Sequence, residues 1–288
     1  MENIKKFAHF LKQSERSKAT IKNYLVDLNA FGTWFKDTNN ETCALKNITP
    51  TDLREYKQFL IHQKSLKPNS INRKIATLRS YLEWAKQTQQ IKHHITVPKF
   101  LPKTKFGPRW LNKLKQNQLL RLVEQKGNVR DITIIRLLLN TGLRVQELCA
   151  LYWKDITISD RKGTLIVHHG KGEKRREVTL NKDARDALSS IGYLKHVGQN
   201  KLIFQGQRGA LTPRGVQFLL QYYSSTMKEK ITPHSLHHTF CKNLINAGIG
   251  LEKVALMAGH ENLETTRRYC EPSMLDIQQA VDLIGEKE

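Results

Sequence analysis

A proline-rich and basic segment at residues 91–110 interrupts the helical periodicity of this 288-residue chain. It places Pro98, Pro102 and Pro108 among several lysines and arginines, a composition typical of an extended linker. The chain is longer than most single hydrophobic cores, so two domains are the expected organisation. The sequence therefore predicts a first domain at residues 1–92, a basic linker at 93–110 that can lie along a phosphate backbone, and a second domain at 111–288.

Apolar residues recur at helical spacing in three segments of the first domain. These segments begin after Ser17, at Thr49-Pro50 and after Pro68. Serine is a favoured N-cap residue, and proline fits the first turn of a helix. We therefore expect an all-α first domain.

The second domain has a mixed pattern. Two helical runs come first, at 111–125 and 130–140, and the second run is apolar on nearly all sides up to Gly142. Three short β-type segments follow at 154–159, 163–169 and 176–180, separated by turn residues, and helical patterns then return. We expect a mainly helical α/β domain with a small antiparallel sheet.

The charge balance indicates a polyanionic partner. The 48 lysines and arginines exceed the 26 acidic residues by 22, and the isoelectric point is near 9.9. Residues 1–110 carry +13 and the remainder +9, so both domains can contact phosphate, as in a clamp on double-stranded DNA. We expect no signal peptide or membrane span, and four scattered cysteines favour a reduced, cytoplasmic setting.

Five short segments contain the residues that one phosphoryl-transfer chemistry requires: TGLRVQE, HHGKGEKRREV, HSLHHTF, MAGH and TTRRYC. A tyrosine that attacks a phosphodiester needs cations around the phosphate oxygens and a proton donor for the leaving oxygen. Arg144, Lys171, His234, His260 and Tyr269 can supply these groups without a metal or another cofactor.

These segments resemble the motifs of the tyrosine recombinase (phage integrase) family of site-specific DNA recombinases. TGLRVQEL is similar to its first arginine box, GKGEKRREVTL to its lysine hairpin, HSLHHTF to its histidine–arginine box and MAGHENLETTRRY to its nucleophile box. The resemblance covers essentially all of the second domain. The helices of the first domain resemble, in pattern alone, the SAM-like bundle of the family's core-binding domain.

The resemblance implies a role for each of these residues. Tyr269 would attack the scissile phosphate to form a 3′-phosphotyrosyl link, and Lys171 would protonate the leaving 5′ oxygen. Glu147 would orient the guanidinium of Arg144. The family also implies a homotetramer acting on two DNA sites, with a C-terminal tail at about residues 272–288 that docks on a neighbouring protomer. An integrase or resolvase of a mobile element is the expected function.

His237 stands where the family has its second active-site arginine. Histidine carries only part of a charge near neutral pH, so we expect weaker catalysis that improves as the pH falls toward 6. His234, His237 and His238 also share one helical face, which raises a zinc site as an alternative. We see no cysteine or acidic ligand at a recognised spacing beside them, which disfavours zinc. Cys270, next to Tyr269, is expected to be structural.

Two further functions stay open: a non-catalytic DNA-binding member of the family, and relaxation of DNA in the manner of a type IB topoisomerase. In either case, basic and amide side chains on the first domain, the linker and the lysine hairpin are the expected DNA contacts. They are Lys18, Lys22, Asn72, Arg73, Lys74, Thr77, Arg79, Lys103, Lys105, Arg109, Lys174, Arg175 and Arg176.

Overall fold

The computed structural model describes residues 2–92, 94–102, 109–168, 175–270 and 281–282. The chain forms two compact units, Met1–Phe106 and Gly107–Glu288, which are described separately. Among the described residues, every helix is too short or too polar to cross a membrane.

The first unit is a bundle of four α-helices. They are α1 (Glu2–Gln13), α2 (Lys18–Asn39), α3 (Pro50–His62) and α4 (Pro68–Gln87), with a 3-10 turn at Leu45–Asn47. The expected caps are present, because Ser17 accepts from the backbone of Thr20 and Thr49 forms a capping box with Asp52. Helix α1 had no prediction of its own; Phe7 and Leu11 bury its apolar face. The expectation of an all-α first domain is confirmed.

The start of the predicted linker packs on this first unit. Ile95 is buried in the core of the bundle, and Val97 and Leu101 pack against it. Asn72 on α4 fixes this strand of chain with two hydrogen bonds of 2.8 Å, one from its amide to the carbonyl oxygen of Leu101 and one from the Leu101 N–H. Residues 94–102, the described start of the predicted linker at 93–110, are therefore anchored to the first core.

The second unit is mainly helical and carries a small sheet. Its helices are α5 (Lys113–Lys126), α6 (Val129–Thr141), α7 (Val145–Cys149), α8 (Lys182–Ser190), α9 (Tyr193–His196), α10 (Pro213–Met227), α11 (Pro233–Asn246), α12 (Leu251–Ala258) and α13 (Leu263–Arg267). Strands β1 (Ile156–Ile158), β2 (Gly163–His168) and β3 (Arg175–Thr179) form an antiparallel sheet in that order. A short hairpin, β4 (Gln205–Gly206) and β5 (Gly209–Ala210), was not predicted. The expected α/β class is confirmed.

Helix α6 is the centre of the second unit. It is buried along most of its length and packs against α5, α8 and α11. Gly142 ends it in the left-handed conformation, with φ of 64°. A Cβ at this position would lie 2.4 Å from the ring of Phe240 on α11, so only glycine permits this close approach. The turn brings the residues that follow α6 next to α11.

Candidate active site

The turn at Gly142 places Arg144 directly before α7. Its guanidinium donates to the carbonyl oxygen of Gly259 at 2.7 Å and to Glu147 Oε1 at 3.2 Å. The Glu147 carboxylate also accepts from the Arg144 N–H at 2.8 Å. Glu147 thus contacts Arg144, and the arginine side chain stays 42% exposed toward an open cavity.

Arg176 on β3 is held by the same carboxylate. Its two terminal nitrogens donate to Glu147 Oε1 at 2.7 Å and Oε2 at 2.8 Å, and both side chains are nearly buried. Burial tends to raise the pKa of Glu147, but the hydrogen bonds from Arg176 and Arg144 outweigh it, so the pKa lies below its usual range. Arg176 was predicted to contact phosphate. The structure corrects this prediction, because the Arg176 guanidinium forms an internal ion pair with Glu147.

Helix α11 presents three histidines with different environments. His234 is exposed, whereas His237 and His238 are buried. His237 Nδ1 lies 2.8 Å from the carbonyl oxygen of Gly142, which can only accept, so this nitrogen carries a proton. Its Nε2 faces Nε2 of His260 at 3.0 Å, and His260 Nδ1 lies 2.8 Å from Thr266 Oγ1.

The buried His237 and the half-buried His260 are neutral near pH 7. Burial lowers the pKa of His237 to about 4, and His260 beside it acts in the same direction. Burial, followed by the nearby Arg144 charge, lowers the pKa of His260 to about 4. Burial thus opposes the protonation of His237 near pH 6 on which the expected pH dependence of cleavage relies, and that pH dependence stays a prediction.

Tyr269 follows α13 and is 1% exposed. Its hydroxyl forms a short hydrogen bond with Nδ1 of His238, and Lys242 donates to its backbone carbonyl oxygen at 3.3 Å. Burial raises the pKa of the phenol, and the Cys241 thiol adds to the effect. His238 was not among the predicted site residues. Its position one turn after His234 on the same helical face is the sequence signal that could have identified it.

A cavity of about 400 Å³ brings five of the six predicted catalytic residues together. Arg144, His234, His237, His260 and Tyr269 all line it. One guanidinium, three imidazoles and a phenol around one opening suit a tetrahedral anion. A larger apolar pocket of about 1070 Å³ lies in the first unit and contains none of these residues.

The remaining predictions fall on residues outside the described ranges. These are the general acid Lys171, the candidate contacts Lys103, Lys105 and Lys174, and nearly all of the tail at 272–288. They stay predictions from the sequence.

Among the residues predicted to contact DNA that the structure describes, some side chains are exposed and others pack inside the protein. Lys18, Lys22, Arg109 and Arg175 are exposed, which is compatible with the prediction without testing it. Arg79 stacks on the ring of Phe100, with the guanidinium carbon 4.5 Å from the ring centroid.

Four neighbouring candidates on α4 have structural partners. Thr77 is fully buried and hydrogen-bonds the buried carboxylate of Asp27, so its prediction as a DNA contact is wrong. Arg73 and Lys74 form ion pairs with the same carboxylate, which compensates its burial. The lysine is 14% exposed and holds α2 to α4. Asn72, as described above, fixes the chain at Leu101.

A cysteine also lies beside the active-site histidines. Cys241 follows His237 by one helical turn on α11, and their ligand atoms lie within 4.8 Å of each other and of the His260 ring nitrogen. The expectation that no cysteine accompanies the histidines is therefore wrong. The sequence contains this pair at i and i+4, but His260 comes near it only through the packing of α12 on α11.

The sequence matches the Phage integrase family over residues 109–275. It also matches the N-terminal SAM-like domain of phage integrases over residues 4–89. The chain is 28% identical to the TnP I resolvase of Bacillus thuringiensis, and the alignment covers 99% of this chain and 100% of the resolvase. It is 32% identical to tyrosine recombinase XerC of Staphylococcus aureus strain JH9, over 88% of this chain and 86% of XerC.

Solved structures share the fold over both units. The XerH recombinase bound to a palindromic difH substrate matches with a TM-score of 0.73 at 22% identity, over 92% of this chain and 80% of XerH. The Tn1549 transposon integrase in complex with a circular intermediate DNA matches with a TM-score of 0.71 at 19% identity, over 98% and 99% of the two chains. With a cavity that joins the first arginine box to the nucleophile box, these matches identify the chain as a member of the phage integrase family of tyrosine recombinases, enzymes that cleave and rejoin DNA at specific sites.

Proposed function

We propose that this chain is the recombinase of a mobile element, an integrase or resolvase that cleaves and rejoins DNA through a 3′-phosphotyrosyl intermediate at Tyr269. The observation that carries the proposal is the shared cavity, where the Tyr269 side chain meets Arg144 and the imidazoles of His234, His237 and His260. The wall of this cavity supplies both the oxygen that would attack a bound phosphodiester and the hydrogen-bond donors that would stabilise its charge.

In the first step the phenol oxygen of Tyr269 forms a bond to phosphorus, and the bond from phosphorus to the 5′ oxygen breaks. The phenol proton passes to Nδ1 of His238, which already holds the hydroxyl. His238 is neutral in the DNA-free protein, because burial and then His234 lower its pKa to about 3. An anionic phosphodiester in the cavity favours the charged imidazolium, so the transfer becomes easier once DNA is bound.

The leaving 5′ oxygen takes its proton from Lys171, an assignment that rests on the lysine-hairpin motif. The free 5′ hydroxyl of a partner strand then attacks the phosphotyrosyl link and releases Tyr269. Each step exchanges one phosphoester bond for another, so the reaction needs no energy from a nucleotide. Arg144 stabilises the charge on the phosphate oxygens, and Glu147 and the Gly259 carbonyl group hold its guanidinium in place.

Related proteins support a mobile-element role. One relative is named a resolvase, and one solved neighbour is a transposon integrase in complex with DNA. We accordingly propose double-stranded DNA as the partner and four protomers in the complex that joins two sites. Cytoplasmic location is part of the same proposal.

A suicide DNA substrate, which loses a short strand after cleavage, tests the nucleophile. The wild-type protein should accumulate a covalent adduct, and Tyr269→Phe should bind the same DNA and form none. Tyr222→Phe is a matched control, because Tyr222 is 53% exposed on α10 and does not line the cavity. Adduct that persists in Tyr269→Phe would show that another residue is the nucleophile.

The substitution at position 237 favours one second candidate, a DNA-binding protein that has lost catalysis. Wild-type protein that binds its site and forms no adduct under any condition, while His237→Arg does form adduct, would support that candidate.

A further inference from the structure

We propose that His237, Cys241 and His260 form a binding site for a Zn²⁺-type divalent metal ion, which supplies the positive charge that an arginine at position 237 would supply. The three candidate ligand atoms lie within 4.8 Å of one another. The binding site is independent of the proposed function, whereas the catalytic role of the ion rests on it.

The two imidazoles face each other through a hydrogen bond between their Nε2 atoms, whose proton an ion would replace. Their Nε2 atoms are 3.0 Å apart, and tetrahedral zinc with bonds of about 2.05 Å separates two nitrogen ligands by about 3.3 Å. An adjustment of a few tenths of an ångström therefore admits an ion. One thiolate and two imidazoles are ligands that favour zinc over calcium or magnesium.

Hydrogen bonds on the far sides of both rings fix their orientation. His237 Nδ1 donates to the Gly142 carbonyl oxygen, which leaves the Nε2 lone pair free to bind a metal. His260 Nδ1 pairs with Thr266 Oγ1, a hydroxyl that can donate or accept. His260 can therefore carry its proton on Nδ1 when Nε2 binds an ion. Metal-binding histidines in proteins typically have this outer partner.

The ligand set leaves one coordination position open. His237 and His260 line the 400 Å³ cavity, whereas Cys241 is fully buried behind them. A fourth ligand must come from the cavity side, where the scissile phosphate would bind. Three protein ligands and an open position are the arrangement of catalytic rather than structural zinc sites.

The charge and proton balance is compatible with the site. Binding replaces the S–H bond of Cys241 with a sulfur–metal bond and releases one proton to solvent. The resulting ion with one thiolate carries a net single positive charge, equal to that of an arginine. Arg144 lines the same cavity, and its guanidinium is hydrogen-bonded to the Glu147 carboxylate, which limits repulsion.

Cobalt substitution tests the site without DNA. Full-length protein stripped of metal should bind one Co²⁺ with a thiolate-to-cobalt charge-transfer absorption, and Zn²⁺ should displace it. Cys241→Ser should lose this absorption, and His260→Asn should weaken binding by more than the 10–100-fold typical of losing an outer partner of a ligand. Cys43→Ser is the control, because Cys43 lies in the first unit. Absence of the absorption, or its persistence in Cys241→Ser, would overturn the site.

If serine at the buried position 241 prevents folding, the partly exposed His260 provides the deciding variant. Unchanged cobalt binding by folded His260→Asn would overturn the site equally.

Adduct formation on the suicide substrate tests the role. Removal of zinc by a chelator should slow the wild-type protein at least 10-fold and leave His237→Arg unchanged, because that variant carries its own cation. A wild-type rate that is insensitive to chelation would overturn the catalytic role. Failure of both proteins to form adduct, with or without zinc, would contradict the proposed function instead, and the cobalt measurement would still decide the metal site.

Discussion

At the scale of single residues, position 237 decides how the site can hold a phosphate. An arginine there would add a permanent positive charge and a bidentate hydrogen-bond donor. The histidine is buried, neutral and bonded to the Gly142 carbonyl group. The fixed cations among the described residues that line the cavity are therefore Arg144 and Arg268, and position 237 adds none unless a metal ion binds.

His237→Arg should accelerate cleavage by about 100-fold or more in metal-free buffer, since one transition-state donor is worth about 2.7–4 kcal/mol. Single-turnover adduct formation at saturating protein measures this rate. His196→Arg, on a half-buried histidine that does not line the cavity, controls for the added positive charge. An equal rate in wild-type and His237→Arg protein would show that position 237 does not contact the phosphate.

Glu147 is the residue whose charge holds the two arginines together. Glu147→Gln should lower the free energy of unfolding by about 3 kcal/mol at pH 7, the usual cost of breaking a buried ion pair. The pKa of Glu147 in the folded state lies below its ordinary value of 4.5, so the stabilisation is present above pH 4.5 and is lost as the pH falls through the folded-state pKa. The difference between the two proteins should therefore shrink below pH 4.5.

Urea unfolding of both proteins at neutral and acidic pH measures this difference. Glu264→Gln is the matched control, because Glu264 pairs with Arg267 on the surface and should matter by about 0.5 kcal/mol or less. A Glu147→Gln effect that is the same at every pH would show that the carboxylate charge is not what stabilises the cluster.

At the scale of elements, the site is made where three helices approach one another. The close contact of Gly142 with Phe240 holds the end of α6 against α11, and the packing of α12 on α11 brings His260 to His237. Tyr269 comes one turn after α13 and reaches the same helix. Helix α11 is therefore the element on which arginine box, histidines and nucleophile meet.

Gly142→Ala tests this contact against a matched glycine. Gly142 and Gly127 both have left-handed φ values, of 64° and 71°, so alanine strains both by about 1–2 kcal/mol. A Cβ at Gly127 meets nothing within 4 Å, whereas one at Gly142 meets the Phe240 ring at 2.4 Å. Gly142→Ala should be the more destabilising by a further 1–3 kcal/mol or so in urea unfolding. Equal losses for both variants would show that the ring yields freely.

At the scale of the whole molecule, the net charge of +22 governs affinity for DNA. Each phosphate contact that releases counterions adds about 0.9 to the slope of log affinity against log salt. Lys18 and Lys22 are exposed at the start of α2 and are predicted contacts in the first unit.

The double variant Lys18→Gln, Lys22→Gln should therefore reduce that slope by about 1.8 if both lysines contact phosphate. Fluorescence anisotropy with a DNA duplex at several salt concentrations measures it. Lys6→Gln is the control, because Lys6 pairs with Glu2 on α1 and is not a predicted contact. An unchanged slope in the double variant would remove the start of α2 from the DNA-binding surface.

The sequence alone determined the family, most of the elements and five of the residues that line the cavity. Local sequence signals predicted the helix caps at Ser17 and Thr49, the end of α6 at Gly142, the three-stranded sheet and the motif residues. Each of these features depends mainly on residues that are neighbours in the chain. Only the tertiary structure decided which cations are available for DNA. Asp27 forms ion pairs with Arg73 and Lys74, and Glu147 forms one with Arg176. The partners in these pairs are 29–47 residues apart in the sequence. The neutral state of His237 and its meeting with Cys241 and His260 also depend on burial and helix packing, which periodicity in a sequence does not specify.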